Sequence, residues 1–465
     1  MKNVQAISAA AILWMAAAST SWGQAAPAPA GGPTTQPATT QPAATQPAAT
    51  QPATTQPAAT QPVPPGQEKF EAGRTLFFQG QYKQAVAALQ QALQAAPTKT
   101  AYQLLLAKAY RFAGQQKEST ALLEAILKAN PDHVEAGVEL AEILSPQKNS
   151  DRVIAILHPL LKFKHDYPLY HLLAEAYYQK EQWDKARENY EEAVKLNPQS
   201  GADCYQLANI YLAQQRFARA AEAYEKAGRL GIDSAAYHFK LASVYFNLRN
   251  YMGAITTAQV LGGTPGQIRN QLLLVEQVPG QKDTFFAASP RSAIFQAVQA
   301  RQMGIDTPQL KFLEANIYLS ARRYAKADAV YKDLEGKLEK ADQALFWFYW
   351  AQTALGLQDY GNYLARLDKA ILLEPDAYKA TLCDAYVTVA ARYQESGDTG
   401  KYIEYLSKAV QASPLSARLH LLLGDACWQT GRRGEAVQQY RLVLELEPDH
   451  ADRIRLLNRI REFQP

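Results

Sequence analysis

Cysteines are few in this sequence, and none stands in a metal-binding or redox pattern. Cys204, Cys383 and Cys427 lie far apart in 465 residues, and no C-x-x-C or Cys/His metal spacing occurs. A zinc or dithiol motif built on cysteine is therefore not predicted. Because free cysteine is among the most buried residue types, we predict three small core residues.

Motifs of catalysis are missing as well. The seven histidines do not form H-E-x-x-H, no serine has the glycine-flanked pattern of a nucleophile, and no Gly-rich phosphate-binding loop occurs. Neighbouring carboxylates such as Glu191 and Glu192 have the spacing of solvated helix faces. The sequence predicts a protein that is not an enzyme, with no catalytic residues, metal or cofactor.

An excess of charge of one sign is also lacking. Of the 48 lysines and arginines, only Lys2 lies within the first 67 residues. The rest of the chain contains the other 47 and all 44 acidic residues, so the two signs of charge nearly balance. A nucleic-acid-binding surface needs a marked basic excess on one face. We therefore predict no nucleic-acid partner.

The apolar run near the N-terminus is too short to cross a membrane. It covers residues 4–18, whereas a spanning helix needs about 20 residues. Lys2 precedes it and small residues, Ser21 and Gly23, follow it, which is the layout of a secretory signal peptide. We predict a signal peptide at residues 1–25, export to the periplasm or cell envelope, and no integral membrane segment after cleavage. An uncleaved anchor is the alternative.

Residues 26–65 are rich in Thr, Gln, Pro and Ala. Thr-Gln-Pro recurs every five residues from Thr35 to Pro62, and no large apolar side chain precedes Val63 in this stretch. Each proline disfavours helix at its own position and at the one before it, and nothing here can form a core. We predict a disordered, polyproline-leaning spacer of about 3.1 Å per residue. An inert stretch that only adds solubility is the alternative.

A pattern of small and large residues recurs from residue 66 onwards with a spacing of about 34. In residues 167–200 it comprises Tyr170, Leu173, Ala174 and Tyr177, then Ala186, Tyr190, Ala193 and Pro198. The small side chains let two helices approach closely, the large ones fill the space between them, and the proline ends the second helix. This pattern resembles the tetratricopeptide repeat, a helix–turn–helix unit.

The resemblance covers most of the chain after residue 65. Further copies are predicted at 66–99, 100–133, 201–234, 235–262, 308–341, 344–377, 383–416 and 417–450, with a degenerate copy at 134–166 that has Pro159 inside its second helix. The resemblance implies an all-α, right-handed superhelical solenoid, because stacked repeats bury a continuous core.

Residues 263–307 interrupt the pattern. They contain the turn-rich strings GGTPGQ, VPGQKD and ASPRS, whereas NQLLLVEQV and SAIFQAVQA favour short helices. We predict a hinge or eroded repeat here. The predicted organisation is signal peptide 1–25, spacer 26–65, module 1 at 66–262 with about six repeats, hinge 263–307, module 2 at 308–450 with four repeats, and a capping helix at 451–465.

The aromatic string LFWFYW, residues 345–350, falls within one predicted repeat. In the family register Trp347 and Trp350 occupy core places, and Phe346 packs toward a neighbouring repeat. Phe348 and Tyr349 occupy the fifth and sixth places, which in this family line a concave groove that binds partners.

The resemblance implies that the other groove-lining places also carry partner-binding residues. In module 2 the candidates are Phe312, Leu319, Phe348, Tyr349, Val387, Leu421 and Trp428, and in module 1 they are His171, Tyr205, Asn209, Phe239 and Lys240. Exposed apolar area marks interaction sites, and aromatic residues are enriched at binding hot spots. The alternative for module 2 is that tight coiling, or the 263–307 segment folding back, buries these residues.

Some members of the family clamp a partner's C-terminal carboxylate with lysines and asparagines. Here only Asn209 and Lys240 stand at suitable places, Lys240 replaces an expected asparagine, and no further basic pair follows. The sequence therefore favours other recognition chemistry. We predict a non-catalytic scaffold of the cell envelope that binds segments of partner proteins in its groove. The alternative is an accessory factor in polysaccharide export or assembly, which would contact glycan or the export machinery.

Overall fold

The computed structural model of the chain describes residues 65–252, 254–257, 275–277 and 284–463. The predicted signal peptide and nearly all of the predicted spacer lie outside the described residues. The described chain divides into two compact units, of which the first ends at Ile232 and the second begins at Asp233. The predicted module boundary, at residue 262, stays a prediction.

Ten helices make up the described part of the first unit, and they pack as consecutive pairs. They are α1 (Gln67–Phe78), α2 (Tyr82–Ala95), α3 (Thr100–Phe112), α4 (Gln116–Ala129), α5 (Val134–Leu144), α6 (Ser150–Leu160), α7 (Tyr167–Gln179), α8 (Trp183–Leu196), α9 (Gly201–Ala213) and α10 (Phe217–Arg229). The short connections make the paired helices antiparallel.

Burial follows the predicted repeat register. Ala174, Ala186 and Ala193 have no exposed surface, and Tyr190 is 2% exposed between the two helices of its pair. Alanine at these places lets α7 and α8 approach to the distance at which the tyrosine fills the remaining space. The all-α solenoid of helix pairs is therefore confirmed.

The stretch predicted as a degenerate repeat, 134–166, also forms a complete pair, α5 and α6. Pro159 lies in the last turn of α6, which ends one residue later at Leu160. A proline this close to the end of a helix removes only one hydrogen bond of the final turn. The pair therefore keeps its fold.

The described part of the second unit contains eleven α-helices and a small sheet. The helices are α11 (Ala235–Asn247), α12 (Ala293–Gln302), α13 (Pro308–Ser320), α14 (Tyr324–Leu334), α15 (Gln343–Gly356), α16 (Tyr360–Leu373), α17 (Pro375–Glu395), α18 (Thr399–Ala412), α19 (Ala417–Gln429), α20 (Arg433–Leu446) and α21 (Arg453–Phe463). A short 3-10 helix, Lys340–Asp342, precedes α15.

The sheet corrects two sequence-based predictions. Residues 254–257, predicted to lie in the second helix of the repeat at 235–262, form strand β1 (Ala254–Thr257). Within NQLLLVEQV, predicted to be helical, Val275–Gln277 forms β2. Both strands pair antiparallel with β3 (Thr284–Ala287) in the order β1-β3-β2.

The helix that completes the repeat begun by α11 is α12, which overlaps the predicted helical string SAIFQAVQA and extends two residues beyond it. The two helices pack together, and the backbone amide of Ala293 donates to the carbonyl of Asn250 at 2.8 Å. The chain thus leaves the repeat after α11 and returns to it at α12. The segment between them is therefore inserted within one repeat, where the sequence predicted a hinge or an eroded repeat.

The two tryptophans of LFWFYW belong to the packing between helix pairs. Their rings stack at 5.2 Å, with the Arg366 guanidinium 3.9 Å from the Trp350 ring and the Lys369 ammonium 3.7 Å from the Trp347 ring. Trp350 is 5% exposed, and its indole nitrogen donates to Asp328 of the preceding pair at 2.8 Å. Trp350 therefore joins two repeats by packing and by a hydrogen bond.

We predict that Trp350→Ala lowers the free energy of unfolding by about 3–5 kcal/mol, the range for truncating a buried large aromatic side chain. Unfolding should spread to neighbouring pairs, since each repeat contacts mainly its neighbours. Trp350→Phe, which keeps ring packing and loses the bond to Asp328, should be less destabilised. Thermal and urea unfolding followed by circular dichroism test this, and an unchanged curve for Trp350→Ala would contradict the register of residues 344–377.

Candidate partner-binding groove

His171 forms the most strongly polar contact among the predicted groove residues of the first unit. Its Nδ1 lies 2.7 Å from Oδ1 of Asp203, which joins α7 to α9, and the Tyr167 ring stacks on the imidazole at 5.5 Å. Burial alone would lower the pKa of His171, but the hydrogen bond and charge of Asp203, with Glu175 and Glu142, raise it. Burial would likewise raise the pKa of Asp203, and His171 holds it below its usual range.

Asn209 is engaged inside the fold. Its carbonyl oxygen accepts a hydrogen bond from the Tyr224 hydroxyl at 2.6 Å, and its amide nitrogen donates to Gln206 at 2.9 Å. Tyr224 itself is fully buried. This arrangement satisfies a tyrosine hydroxyl that would otherwise be buried without a partner, at a cost of about 1–3 kcal/mol.

The same pairing recurs fifteen residues apart in two repeats of the second unit. The Tyr331 hydroxyl donates to Asn316 at 2.5 Å, and the Tyr440 hydroxyl donates to Asp425 at 2.8 Å. The sequence predicted Asn209 as a groove residue and did not reveal this role in the core. The signal was present, as an Asn or Asp followed fifteen residues later by Tyr.

Lys240 requires a correction. The side chain is 6% exposed, and burial lowers its pKa to about 8. An ammonium group enclosed in this way does not reach a partner's carboxylate. Its predicted neighbour Phe239 is half-buried, and both residues belong to the second unit, whereas His171, Tyr205 and Asn209 belong to the first.

Phe312 and Phe348 require the same correction, because they are 1% and 3% exposed. The Phe348 ring lies 5.1 Å from that of Tyr378. The sequence predicted no repeat helix across residue 378, but α17 begins at Pro375 and runs for 21 residues. Its extra N-terminal turns bring Tyr378 onto Phe348, so Phe348 is a core residue.

The other predicted residues of the second unit are half-buried. They are Leu319, Tyr349, Val387, Leu421 and Trp428. Tyr349 packs against the clusters around both Phe312 and Phe348, and burial raises its pKa to about 12. Leu421 and Trp428 pack against a separate cluster at the C-terminal end. Leu421 and Trp428 therefore form a C-terminal group, separate from the clusters that Tyr349 contacts.

The C-terminal group is partly covered by α21. Leu456 and Ile460 of this helix are buried, and Arg459 lies 5.1 Å from the Trp428 ring. Arg455 and Arg459 donate to Asp425 at 2.9 and 2.7 Å. The last helix thus occupies, with its arginines, a place that the sequence assigned to a partner.

Leu319 lines a cavity of about 480 Å³ in the second unit. It is surrounded there by side chains of three consecutive stretches of the solenoid: Arg322, Tyr324, Gln352, Gln358, Tyr360, Thr388 and Arg392. The lining offers amide, hydroxyl and guanidinium groups beside two tyrosine rings. Of these residues only Leu319 was predicted from the sequence, because no sequence pattern shows which side chains of separate helix pairs meet.

Gly356 shapes one wall of this cavity. A Cβ atom at Gly356 would lie 2.3 Å from Cε1 of Tyr324, which is far closer than two carbon atoms can approach. The absence of a side chain at this point allows the tyrosine ring to lie directly on the backbone of α15. The ring position thus depends on that glycine.

Cys204 and Cys427 are buried and Cys383 is half-buried, so the prediction of core cysteines is confirmed for two of the three. Among the described residues, no group of three or more His, Cys, Asp or Glu side chains has an arrangement suited to a metal ion. In the same residues, no helix has the length and apolar character needed to cross a membrane.

The His171–Asp203 pair predicts a pH-dependent stability of the first unit. Because the pKa of His171 is raised in the folded state, protonated His171 adds to the free energy of unfolding. This stabilisation is complete below about pH 6.5 and is lost as pH rises through the folded-state pKa. The lowered pKa of Asp203 gives a stabilisation that is complete above about pH 4 and is lost in acid. The pair should therefore stabilise the first unit most between about pH 4 and about pH 6.5.

We expect the free energy of unfolding to be higher at about pH 5.5 than at about pH 8.5, by on the order of 1 kcal/mol for one charge-assisted hydrogen bond. Urea titrations of the parent and of His171→Gln at both pH values measure this. Gln can still donate to Asp203 but does not titrate, so the parent should show the larger difference. Equal differences in the two proteins would contradict the assignment.

Comparisons with known proteins agree with the helix-pair architecture. Models described as tetratricopeptide repeat match residues 167–200, residues 205–268 and 392–451, and residues 76–130 and 113–177. Together these matches cover more than half of the chain.

Among curated proteins, cellulose synthase operon protein C of Pseudomonas fluorescens (strain SBW25) is 27% identical over 179 residues, which are 35% of this chain and 14% of that protein. The match thus spans about a seventh of the relative's length.

Among solved structures, MamA from Desulfovibrio magneticus RS-1 is 20% identical, covering 36% of this chain and 94% of its own, with a TM-score of 0.33. The C-terminal part of a TPR repeat-containing protein from Cytophaga hutchinsonii is 16% identical, covering 61% and 97%, with a TM-score of 0.38. From the family matches and the helix pairs, we conclude that the chain belongs to the tetratricopeptide repeat family, whose repeats serve as scaffolds for protein interaction.

Proposed function

We propose that this protein is a non-catalytic scaffold that holds an extended segment of a partner protein in the second unit. The observation that carries the proposal is the cavity beside Leu319. It takes side chains from α13 and the start of α14, from α15 and the start of α16, and from α17. Because these helices follow one another along the solenoid, a bound segment would run across several repeats and contact each of them.

The chemistry of the lining favours a polar segment. The Thr388 hydroxyl donates to the carbonyl of Asp384 at 2.7 Å and can still accept a hydrogen bond, and Gln358 supplies an amide group. Tyr324 and Tyr360 offer aromatic surface of the kind enriched at hot spots. Two arginines line the cavity, Arg322 and Arg392. Arg392 forms an ion pair with Glu395 at 2.6 Å, whereas Arg322 forms no ion pair among the described residues. An extended partner segment that carries a carboxylate for Arg322 and exposes its backbone amides and carbonyls would suit this lining.

Backbone geometry at two residues of this cavity provides a way to test its role. Arg322 and Gln358 both line it, and both have positive φ angles, of 59° and 62°. The corresponding turns at Gly80 and Gly114 contain glycine, which adopts this conformation without steric cost. Non-glycine residues in this region cost about 1 kcal/mol or more. Lys148, Glu181, Gln215 and Arg249 adopt the same conformation at turns that do not line this cavity, so the strain belongs to the repeat turn.

This geometry allows a test in which folding and binding separate. Arg322→Gly combined with Gln358→Gly should leave stability unchanged or raise it by about 1 kcal/mol, since glycine relieves the left-handed strain. Loss of two polar contacts should weaken partner binding about tenfold or more. Binding is measured by capture from cell-envelope extract on the immobilised full chain, followed by quantitative mass spectrometry.

The matched control is Lys148→Gly combined with Glu181→Gly, at turns of the first unit that have φ angles of 57° and 56°. This variant relieves the same strain away from the cavity and should capture the same proteins as the parent. If the Arg322/Gln358 variant also captures them in equal amounts, the cavity does not hold the partner.

We also propose that the scaffold works outside the cytoplasm, in the periplasm or cell envelope. The pattern of Lys2, the apolar residues 4–18 and the small residues that follow supports this. The chain from a bacterial expression host should be recovered in the envelope fraction and should begin near Gln24 or Ala26. N-terminal sequencing tests this, and a cytoplasmic protein that begins at Met1 would contradict it.

A second candidate is an accessory role in polysaccharide export or assembly. Its support is the 27% identity to cellulose synthase operon protein C, together with tyrosine rings and amides in the cavity, which suit sugar faces and hydroxyls as well as peptide. Binding of the full chain to soluble cello-oligosaccharides, measured by calorimetry, distinguishes the two. Saturable binding that is lost in the Arg322/Gln358 variant would favour the polysaccharide role.

A further inference from the structure

Four aromatic rings form a cluster at one end of the first two helix pairs. Phe77 contacts Phe78, Tyr82 and Phe112 with ring centroids 5.7, 5.5 and 5.6 Å away, and Tyr82 stacks on Phe112 at 5.1 Å. The Arg111 guanidinium lies 4.5 Å from the centre of the Phe112 ring. The cluster, Phe77, Phe78, Tyr82 and Phe112, lies where α1 turns into α2 and where α3 ends.

Two of these rings are exposed to solvent and also belong to a contiguous aromatic cluster. Phe78 is 77% exposed and Phe112 is 48% exposed, although phenylalanine is among the side chains most often found inside proteins. They are the last residues of α1 and α3, whereas the last residue of α7 is the polar Gln179. Both rings contact Phe77 and so belong to one contiguous apolar surface, and contiguous exposed apolar surface marks interaction sites.

The sequence immediately before α1 has the composition that such a surface binds. Thr-Gln-Pro occurs six times between Thr35 and Pro62, and proline-rich segments dock on aromatic-lined surfaces because their extended conformation is largely preformed. Proline rings pack on aromatic faces, and the glutamine side chains supply hydrogen bonds at the rim. The six copies offer several equivalent registers for one aromatic cluster.

The connection between the two is short enough for contact within one molecule. Gly66, with φ 77°, turns the chain at the start of α1, and a Cβ there would lie 2.5 Å from the carbonyl oxygen of Ala92. Helix α1 has 12 residues, so the cluster lies about 17 Å along the helix from its start. About six extended residues span that distance, which leaves most of the Thr-Gln-Pro copies free to reach it.

We propose that the Thr-Gln-Pro segment, residues 35–62, docks on the aromatic cluster of its own chain. Docking covers Phe78 and Phe112 and holds the segment against the first repeat. A short tether gives an effective concentration in the millimolar range. Even a weak contact between the segment and the cluster is therefore substantially formed.

Hydroxyl-radical footprinting with mass spectrometry tests the proposal on the full chain, because it measures side-chain accessibility directly. Oxidation of Phe78 and Phe112 should be at least about twofold slower in the parent than in a variant lacking residues 34–62, if the tether half-fills the surface or better. Phe163, an exposed phenylalanine of the same unit at 62%, serves as the internal control and should react equally in both proteins.

A second variant distinguishes an effect of the proline content of the segment from an effect of its length. Replacing Pro37, Pro42, Pro47, Pro52, Pro57 and Pro62 by Ala keeps the number of residues and should remove the protection. Equal oxidation of Phe78 in the parent and in both variants would overturn the proposal. Protection that appears only as the protein concentration rises, together with dimers in light scattering, would overturn the intramolecular form of it.

Discussion

The close approach of two helices across small side chains is the constraint on which the rest of this structure depends. Alanine or glycine at fixed places, such as Ala208 and Ala220 or Gly424 and Ala436, brings paired helices together. Each pair is stable only when its outer face is covered by the next. Long-range contacts are thus mostly contacts between neighbours in sequence, and a change in one pair alters the position of every side chain on the adjoining surface.

Close packing in turn decides which polar residues are available for binding. Fully buried Tyr224, Tyr331 and Tyr440 need partners for their hydroxyls, and an Asn or Asp fifteen residues earlier in the same repeat provides one. These residues face the groove by their place in the repeat but are used by the core. The polar side chains left for the proposed partner are therefore those outside these pairs, such as Arg322 and Gln358 of the cavity.

Two elements modify the regular array. An insertion that includes a three-stranded sheet separates α11 from α12, yet the two helices still pair, because the ends of the insertion are joined by the hydrogen bond between Ala293 and Asn250. At the other end, α21 places Leu456 in the last core and its arginines on Asp425. Both cases show that pairing of helices tolerates interruption of the chain as long as the two apolar faces meet.

The sequence by itself determined the repeat, its register and the all-α solenoid. Helix pairing is local, and a 34-residue pattern such as that of 167–200 contains both partners of each contact. Tertiary structure alone decided the exposure of the candidate groove residues. Phe348 is buried by Tyr378 because α17 begins several residues earlier than the repeat pattern requires, and Lys240 is enclosed although it stands at a groove place. The cavity could not be predicted from the sequence either, because Leu319, Gln352 and Thr388 meet only when three helix pairs stack. Periodicity specifies which face of a helix is apolar, whereas accessibility depends on how far the neighbouring helix extends.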